Sequence, residues 1–229
     1  MLVAILDSGL HRGHPHLAGA RVSGFGIDGD VPPFVLSDDF TDRTGHGTAV
    51  TAALHRLAPD VDLLAVRVLD DELRCTTDVL AAAIEEAARR GADIINLSLG
   101  SMREEARGPL QRAVTLATER GAVCVAAAHP RGRPLYPADL PGVLSATTHR
   151  SCPLADLFVV PGPLPRFLAH GFPRPIEGRA PSDNFFGPSF ATVHLTGRVA
   201  ALLAAGRDPS IPELAKQLRE QATGDWTST

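Results

Sequence analysis

The sequence predicts an α/β fold in which a doubly wound, mostly parallel sheet carries helices on both faces. Three observations predict it. Short runs rich in Val, Ile and Leu recur along the chain and are too continuous for strands with one wet face, so they read as strands covered on both sides. Segments with helical periodicity lie between them, and such alternation implies right-handed crossovers. The chain has 229 residues with 44% hydrophobic content, enough to bury one substantial core, so residues 1–229 are expected to form a single domain.

The strand candidates, in order, are "LVAIL" from Leu2, "VDLLAVRVL" from Val61, "DIINLSL" from Asp93, "AVCVAAA" from Ala122, "GVLSAT" from Gly142 and "LFVVPG" from Leu157. In "TTDVLAAAIEEAARRGA", Val79, Leu80, Ala83, Ile84 and Ala87 share one helical face, with Thr77 or Asp78 as cap and Gly91 as stop. "GPLQRAVTLATERGA" repeats that design, opening at Pro109 and ending at Gly121. The segments Ser23–Thr44 and Pro161–Gly187, rich in Gly, Pro and Asp, read as surface loops. "FFGPSFATVHLTGRVAALLAAG" is a long apolar helix, and the tail after Ser210 holds a short amphipathic helix and then frays.

Charge and cysteine content narrow the function classes. The net charge is −4 with both signs interspersed, so no basic field attracts nucleic acid. Cys75, Cys124 and Cys152 have no CxxC spacing and make no paired framework. Cys124 reads as a small buried residue. No apolar run approaches the roughly 20 residues that cross a bilayer, and the opening lacks the features of a signal peptide. A soluble, reduced, cytoplasmic protein without membrane or nucleic-acid partners is the expectation.

Three positions carry candidate chemistry. Asp7 follows directly on the first strand, at the carboxyl end of a parallel sheet, where open α/β folds place their sites. "TGHGT" sets His46 between two glycines, leaving the imidazole uncrowded. Ser189 opens the long apolar helix, where backbone N–H groups and the helix dipole favour developing negative charge. Together they can form a nucleophilic relay in which Ser189 attacks a carbonyl, His46 moves its proton and Asp7 holds the imidazole tautomer. Taken singly, each has a plainer reading: a turn former, a loop histidine and a helix cap.

Their order and surroundings resemble the subtilisin-like serine peptidases from Leu2 to about Ala205. "DSG" at Asp7 is similar to the family's DTG, "HPHL" at His14 to HPDL, "GHGTAV" at Gly45 to GHGTHV, and "GPSFATVHLTG" at Gly187 to GTSMAAPHVAG, while "INLSLG" at Ile95 is nearly identical to its counterpart. The chain order Asp, His, Ser is a known property of that family, recognised here and not predicted. The resemblance implies a serine endopeptidase acting through an acyl-enzyme, without cofactor, in a compact form without a pro-domain. It assigns Asp7, His46 and Ser189 as the triad and Ser98, Leu99 and Gly100 as the edge that pairs with an extended polypeptide substrate. It also makes Ala126, Ala127 and Ala128 a wall of the substrate pocket, although alanines in a strand also serve simple close packing.

One departure stands out. The family follows the strand matching "VCVAAA" with Gly-Asn, whose amide donates to the oxyanion; here the pair is His129-Pro130, and proline donates nothing. The threonine before the nucleophile is Pro188. For subtilisin itself, loss of the asparagine donor costs about 2.7–4 kcal/mol. The Ser189 backbone N–H remains, and the replacement donor is sought first at His129, then at Arg131, Arg133 or Asn184. The expected enzyme is slow and selective, for example a peptide-processing protease. The alternatives are a catalytically impaired peptide-binding module and an acyl-transferring ligase or cyclase.

The remaining histidines suggest no metal. His11, His14 and His16 fall in the "HPHL" turn without a completing carboxylate or zinc-helix spacing. His194 reads as a packed helix residue. Asp38, Asp39 and Asp42 read as a solvated turn-forming run, with Asp42 near enough in sequence to act on the field at His46.

Overall fold

The computed structural model describes residues 1–180 and 183–226. Its strands are β1 (Leu2–Asp7), β2 (Arg21–Asp28), β3 (Val35–Ser37), β4 (Asp62–Arg67), β5 (Ile94–Leu97), β6 (Val123–Ala127), β7 (Val143–Thr148), β8 (Leu157–Val160), β9 (Arg166–Ala169) and β10 (Gly224–Asp225). The helices are α1 (His46–Leu57), α2 (Thr77–Arg89), α3 (Arg107–Glu119), α4 (Pro188–Ala204) and α5 (Ile211–Glu220). All strands join one sheet in the order β10-β8-β9-β7-β6-β5-β1-β4-β2-β3. Its pairs are parallel except β2 with β3 and β8 with β9.

Strand alternation divides the core into two layers. Ala4 and Leu6 of β1 face α2 and α3 with Ile95, Leu97, Ile84 and Leu110. Val3 and Ile5 face the other way, toward Val50 and Leu54 of α1 and Val193 and Val199 of α4. Both faces are therefore covered, as the uninterrupted apolar runs require. Because β1 lies between β4 and β5, its carboxyl end opens near the middle of the sheet edge.

Four expectations are corrected. The segment Ser23–Thr44 is not all loop, since it contains most of β2 and the whole of β3. The glycines there serve close packing: a Cβ on Gly24 would lie 2.5 Å from the Ala65 carbonyl and 2.8 Å from the Phe40 ring. The segment Pro161–Gly187 contains β9, four residues long and too short to show a period between prolines. The cap of α2 is Thr76, one residue earlier than expected, whose hydroxyl accepts from the Val79 N–H at 3.2 Å. The tail does not fray as far as Trp226: Thr223 and Trp226 donate to Leu157 and Val159 carbonyls at 2.7 Å, and the indole packs on Phe158 and His149. The rest of the tail lies outside the described residues.

Candidate active site

Asp7 ends β1 and is 1% exposed. Its Oδ1 accepts from the Ser8 N–H and from His46 Nδ1, both at 2.7 Å. Oδ2 is buried with no hydrogen-bond partner among the described residues. A carboxylate can only accept here, so Nδ1 carries the proton and Nε2 is left free as a base. His46 is the first residue of α1 and reaches β1 because Gly47 follows it: a Cβ there would lie 3.1 Å from the Gly9 nitrogen and 3.2 Å from Asp7 Oδ1. Burial lowers the imidazole pKa, but the hydrogen bond and charge of Asp7, with the charge of Asp42, more than offset this and leave it raised.

The start of α1 has no capping side chain of its own, since Gly45 is the N-cap. Its orphan N–H groups are met from elsewhere. His46 N–H donates to Thr44 Oγ1, Gly47 N–H to Ser8 Oγ at 2.9 Å and Thr48 N–H to Asp42 Oδ2 at 2.8 Å. The same Asp42 carboxylate accepts from Ser8 Oγ at 2.9 Å, Gly45 N–H at 2.9 Å and Thr48 Oγ1 at 2.6 Å. Asp42 is thus a half-buried structural acceptor and not a solvated turn residue. A helix opening Gly-His, with nothing in "TG" to cap it beyond one threonine, was the available signal that a nearby acid must do so.

Ser189 is the second residue of α4 and follows Pro188. Its Oγ donates to the Ser98 carbonyl at 3.0 Å. Among the described residues no hydrogen bond joins Ser189 to His46, so the expected relay is complete between Asp7 and His46 but not onward. The imidazole packs instead against Phe190, the next residue, with ring centroids 5.6 Å apart, and against Phe185 at 5.8 Å. A buried chain of polar groups fixes the serine to the edge beyond β5: Thr196 Oγ1 donates to Asn96 Oδ1, and Asn96 Nδ2 donates to Ser98 Oγ, each at 2.9 Å. Leu99 and Gly100 continue that edge into solvent.

The oxyanion side differs from expectation. Ser189 N–H has no acceptor among the described residues, whereas Phe190 N–H is used on the Gly187 carbonyl and Pro188 has none to give. His129 is turned into its own loop, with Nδ1 receiving the Arg131 N–H at 3.1 Å and Nε2 facing Arg133 Nη2 at 2.9 Å. Asn184 spends its amide on the Arg174 carbonyl. Neither reaches Ser189. Ala126 and Ala128 are wholly buried in the layer of α2 and α3, and Ala127 is 4% exposed. Alternation along β6 turns 126 and 128 away from the α4 face.

The lesser candidates also have places. His11, His14 and His16 stack edge to face, and His14 Nδ1 is occupied by the His16 N–H. His194 Nε2 donates to the Phe172 carbonyl at 3.1 Å. The three cysteines are unpaired, and burial pushes the Cys75 and Cys124 thiols up to about 12. No helix among the described residues is long and apolar enough to cross a membrane.

This arrangement agrees with comparison to known proteins. A family profile described as "Subtilase family" matches residues 1–149. The chain belongs to the subtilase family. Thermitase of Thermoactinomyces vulgaris is 33% identical to this subtilase over 217 residues, covering 91% of this chain and 76% of thermitase. Among solved structures, sphericase superimposes with a TM-score of 0.74 at 26% identity, covering 96% of this chain and 82% of sphericase. The prenylagaramide maturation protease PagA does so with a TM-score of 0.68 at 26% identity, covering 95% and 81%. This subtilase is therefore a subtilisin-like serine protease, with polypeptides as its substrates.

Proposed function

We propose that Asp7, His46 and Ser189 hydrolyse peptide bonds through an acyl-enzyme, and that the protein is a slow, selective peptide-processing protease. The observation that carries this reading is the 2.7 Å bond from His46 to Asp7 beside a serine at a helix N-terminus. The reading requires the Ser189 hydroxyl to leave the Ser98 carbonyl, which it bonds at 3.0 Å, for His46 by rotation to another staggered well. Nε2 then takes the proton as Oγ bonds to the substrate carbonyl carbon, and the oxyanion that forms lies beside the Ser189 N–H, which has no acceptor among the described residues. The imidazolium returns the proton to the amine as the C–N bond breaks. Water, deprotonated by the same Nε2, splits the ester and restores the serine.

Selectivity is supported by two features. The oxyanion keeps a backbone donor but lacks a side-chain donor at Pro130 and Pro188, so turnover depends more on binding. A depression of about 220 Å³ lies beside Leu99 and Gly100, walled by Leu69, Leu73 and Leu80 and by the polar Arg74, Thr76 and Thr77, and has room for one substrate side chain. The likeness to a maturation protease supports a processing role over general digestion.

The decisive comparison is wild type against Ser189→Ala on candidate precursor peptides, read by mass spectrometry. Cleavage is expected only from wild type, and a fluorophosphonate probe is expected to label Ser189. Equal cleavage by both proteins excludes the mechanism. Peptide binding without labelling instead selects the non-catalytic module, a reading favoured by the serine hydroxyl being spent on Ser98. A product without the mass of water selects acyl transfer.

A further inference from the structure

We infer that Asp42 is a positioning residue for the reaction: a second carboxylate behind the Asp7–His46 couple that pins the two segments bearing it to each other. The inference rests on the proposed role of His46 as the base. Asp7 arrives on β1 and His46 on α1, two elements joined by a long excursion through β2 and β3. Beside the direct Asp7–His46 bond, the Asp42 side chain ties them together. One oxygen accepts from Ser8 Oγ, the residue after Asp7, and from Thr44 and Gly45 N–H groups, the residues before His46. The other oxygen accepts both the N–H and the hydroxyl of Thr48, two residues into the helix. Ser8 Oγ closes the loop by accepting from Gly47 N–H and Thr44 Oγ1.

Every one of these partners is a donor, and none is a cation. Burial alone would raise the Asp42 pKa, but the hydrogen bonds from Thr48, Gly45 and Ser8 outweigh it and hold the carboxyl below its ordinary value. The nearby cations are occupied elsewhere: Arg67 with Asp28, and Arg43 with Asp39 and Asp71. The full charge of Asp42 therefore acts on the helix start and the imidazole. Among the described residues, the charges that raise the His46 pKa are Asp7 from β1 and Asp42 from the loop before α1, and the rings packed on the imidazole are Phe190 of α4 and Phe185 before it. The arrangement supplies geometry and field together: Ser8 and Thr48 transmit the first, and the charge supplies the second.

The two contributions separate by mutation. Asp42→Asn is nearly isosteric but neutral, and its amide faces Thr48 donors. Ser8→Ala keeps the charge and cuts the tie to β1. We expect Asp42→Asn to lower kcat at its pH plateau by about ten- to hundredfold with little change in KM, and to move the acid limb of kcat/KM to lower pH. Ser8→Ala lowers kcat by about tenfold and leaves that limb in place. The His46 imidazole is titrated by NMR in both variants and again in a Ser189→Ala background, with folding checked by circular dichroism. This readout needs no cleavage, so it stands even if the catalytic assignment fails. An unshifted His46 titration in folded Asp42→Asn overturns the inference, whatever the rate. If Asp42→Asn does not fold, Ser8→Ala and Thr48→Val decide: wild-type turnover in both overturns it, and a fall in turnover with His46 titrating as in wild type supports it.

Discussion

Pro130 is the residue at which this chain departs furthest from the chemistry its family implies. By the family resemblance it takes the place of the asparagine whose amide serves the oxyanion, it has no N–H, and neighbouring His129 is held by Arg131 and Arg133. Asn at that position is therefore expected to help. Since loss of such a donor in subtilisin costs about a hundred- to thousandfold, Pro130→Asn is expected to raise kcat by at least about tenfold. Steady-state kinetics on a cleaved peptide check it, and an unchanged kcat means that another group already serves the oxyanion. At this scale the sequence was legible in Asp7 and His46 through their joint order and the motifs around them, since singly a carboxylate after a strand and a histidine between glycines also read as a turn former and a loop residue. It was not legible in His129 or in the three alanines, whose direction depends on one turn or one strand phase.

At the scale of elements, the site depends on how β5 meets α4. Asn96 and Thr196 are fully buried, a hundred residues apart in sequence, and each supplies what the other lacks. Thr196→Val keeps shape and removes the only donor to the Asn96 carbonyl oxygen among the described residues. The expected cost is about 1–3 kcal/mol of stability, with reduced turnover because Ser98 loses its anchor. Chemical denaturation and kinetics check both parts, and a neutral effect on stability means that solvent satisfies Asn96. The helices α2, α3 and α4 and the buried strands were readable from their apolar pattern, whereas α1, β2, β3, β9 and β10 were not. Those four strands lie toward the margins of the sheet, where glycine, proline and short length erase the pattern that burial on two faces writes into β1 or β6.

At the scale of the whole molecule, a buried histidine of α4 contributes to the response to acid. Burial, followed by the charges of His170, Arg198 and Arg56, lowers the His194 pKa to about 4, against the partial help of its bond to the Phe172 carbonyl. A histidine depressed in the folded state favours folding above its unfolded pKa of about 6.5, and that contribution is lost as pH falls toward 4. The loss amounts to roughly 3 kcal/mol. Urea midpoints at pH 7 and pH 4.5 are expected to fall steeply in wild type and less steeply in His194→Gln, whose amide can still donate to Phe172. Equal slopes show that His194 does not govern the acid response. His46 acts in the opposite sense, since its raised pKa contributes stability below its unfolded pKa that is lost as pH rises through the folded value.

The central position of β1 has a consequence for the newborn polypeptide. β1 waits for β4 and β5 to be made, and the proposed nucleophile arrives only with α4, almost two hundred residues later. Until α4 docks, the proposed relay lacks its serine, so the chain stays blunt toward itself until most of its strands have been made.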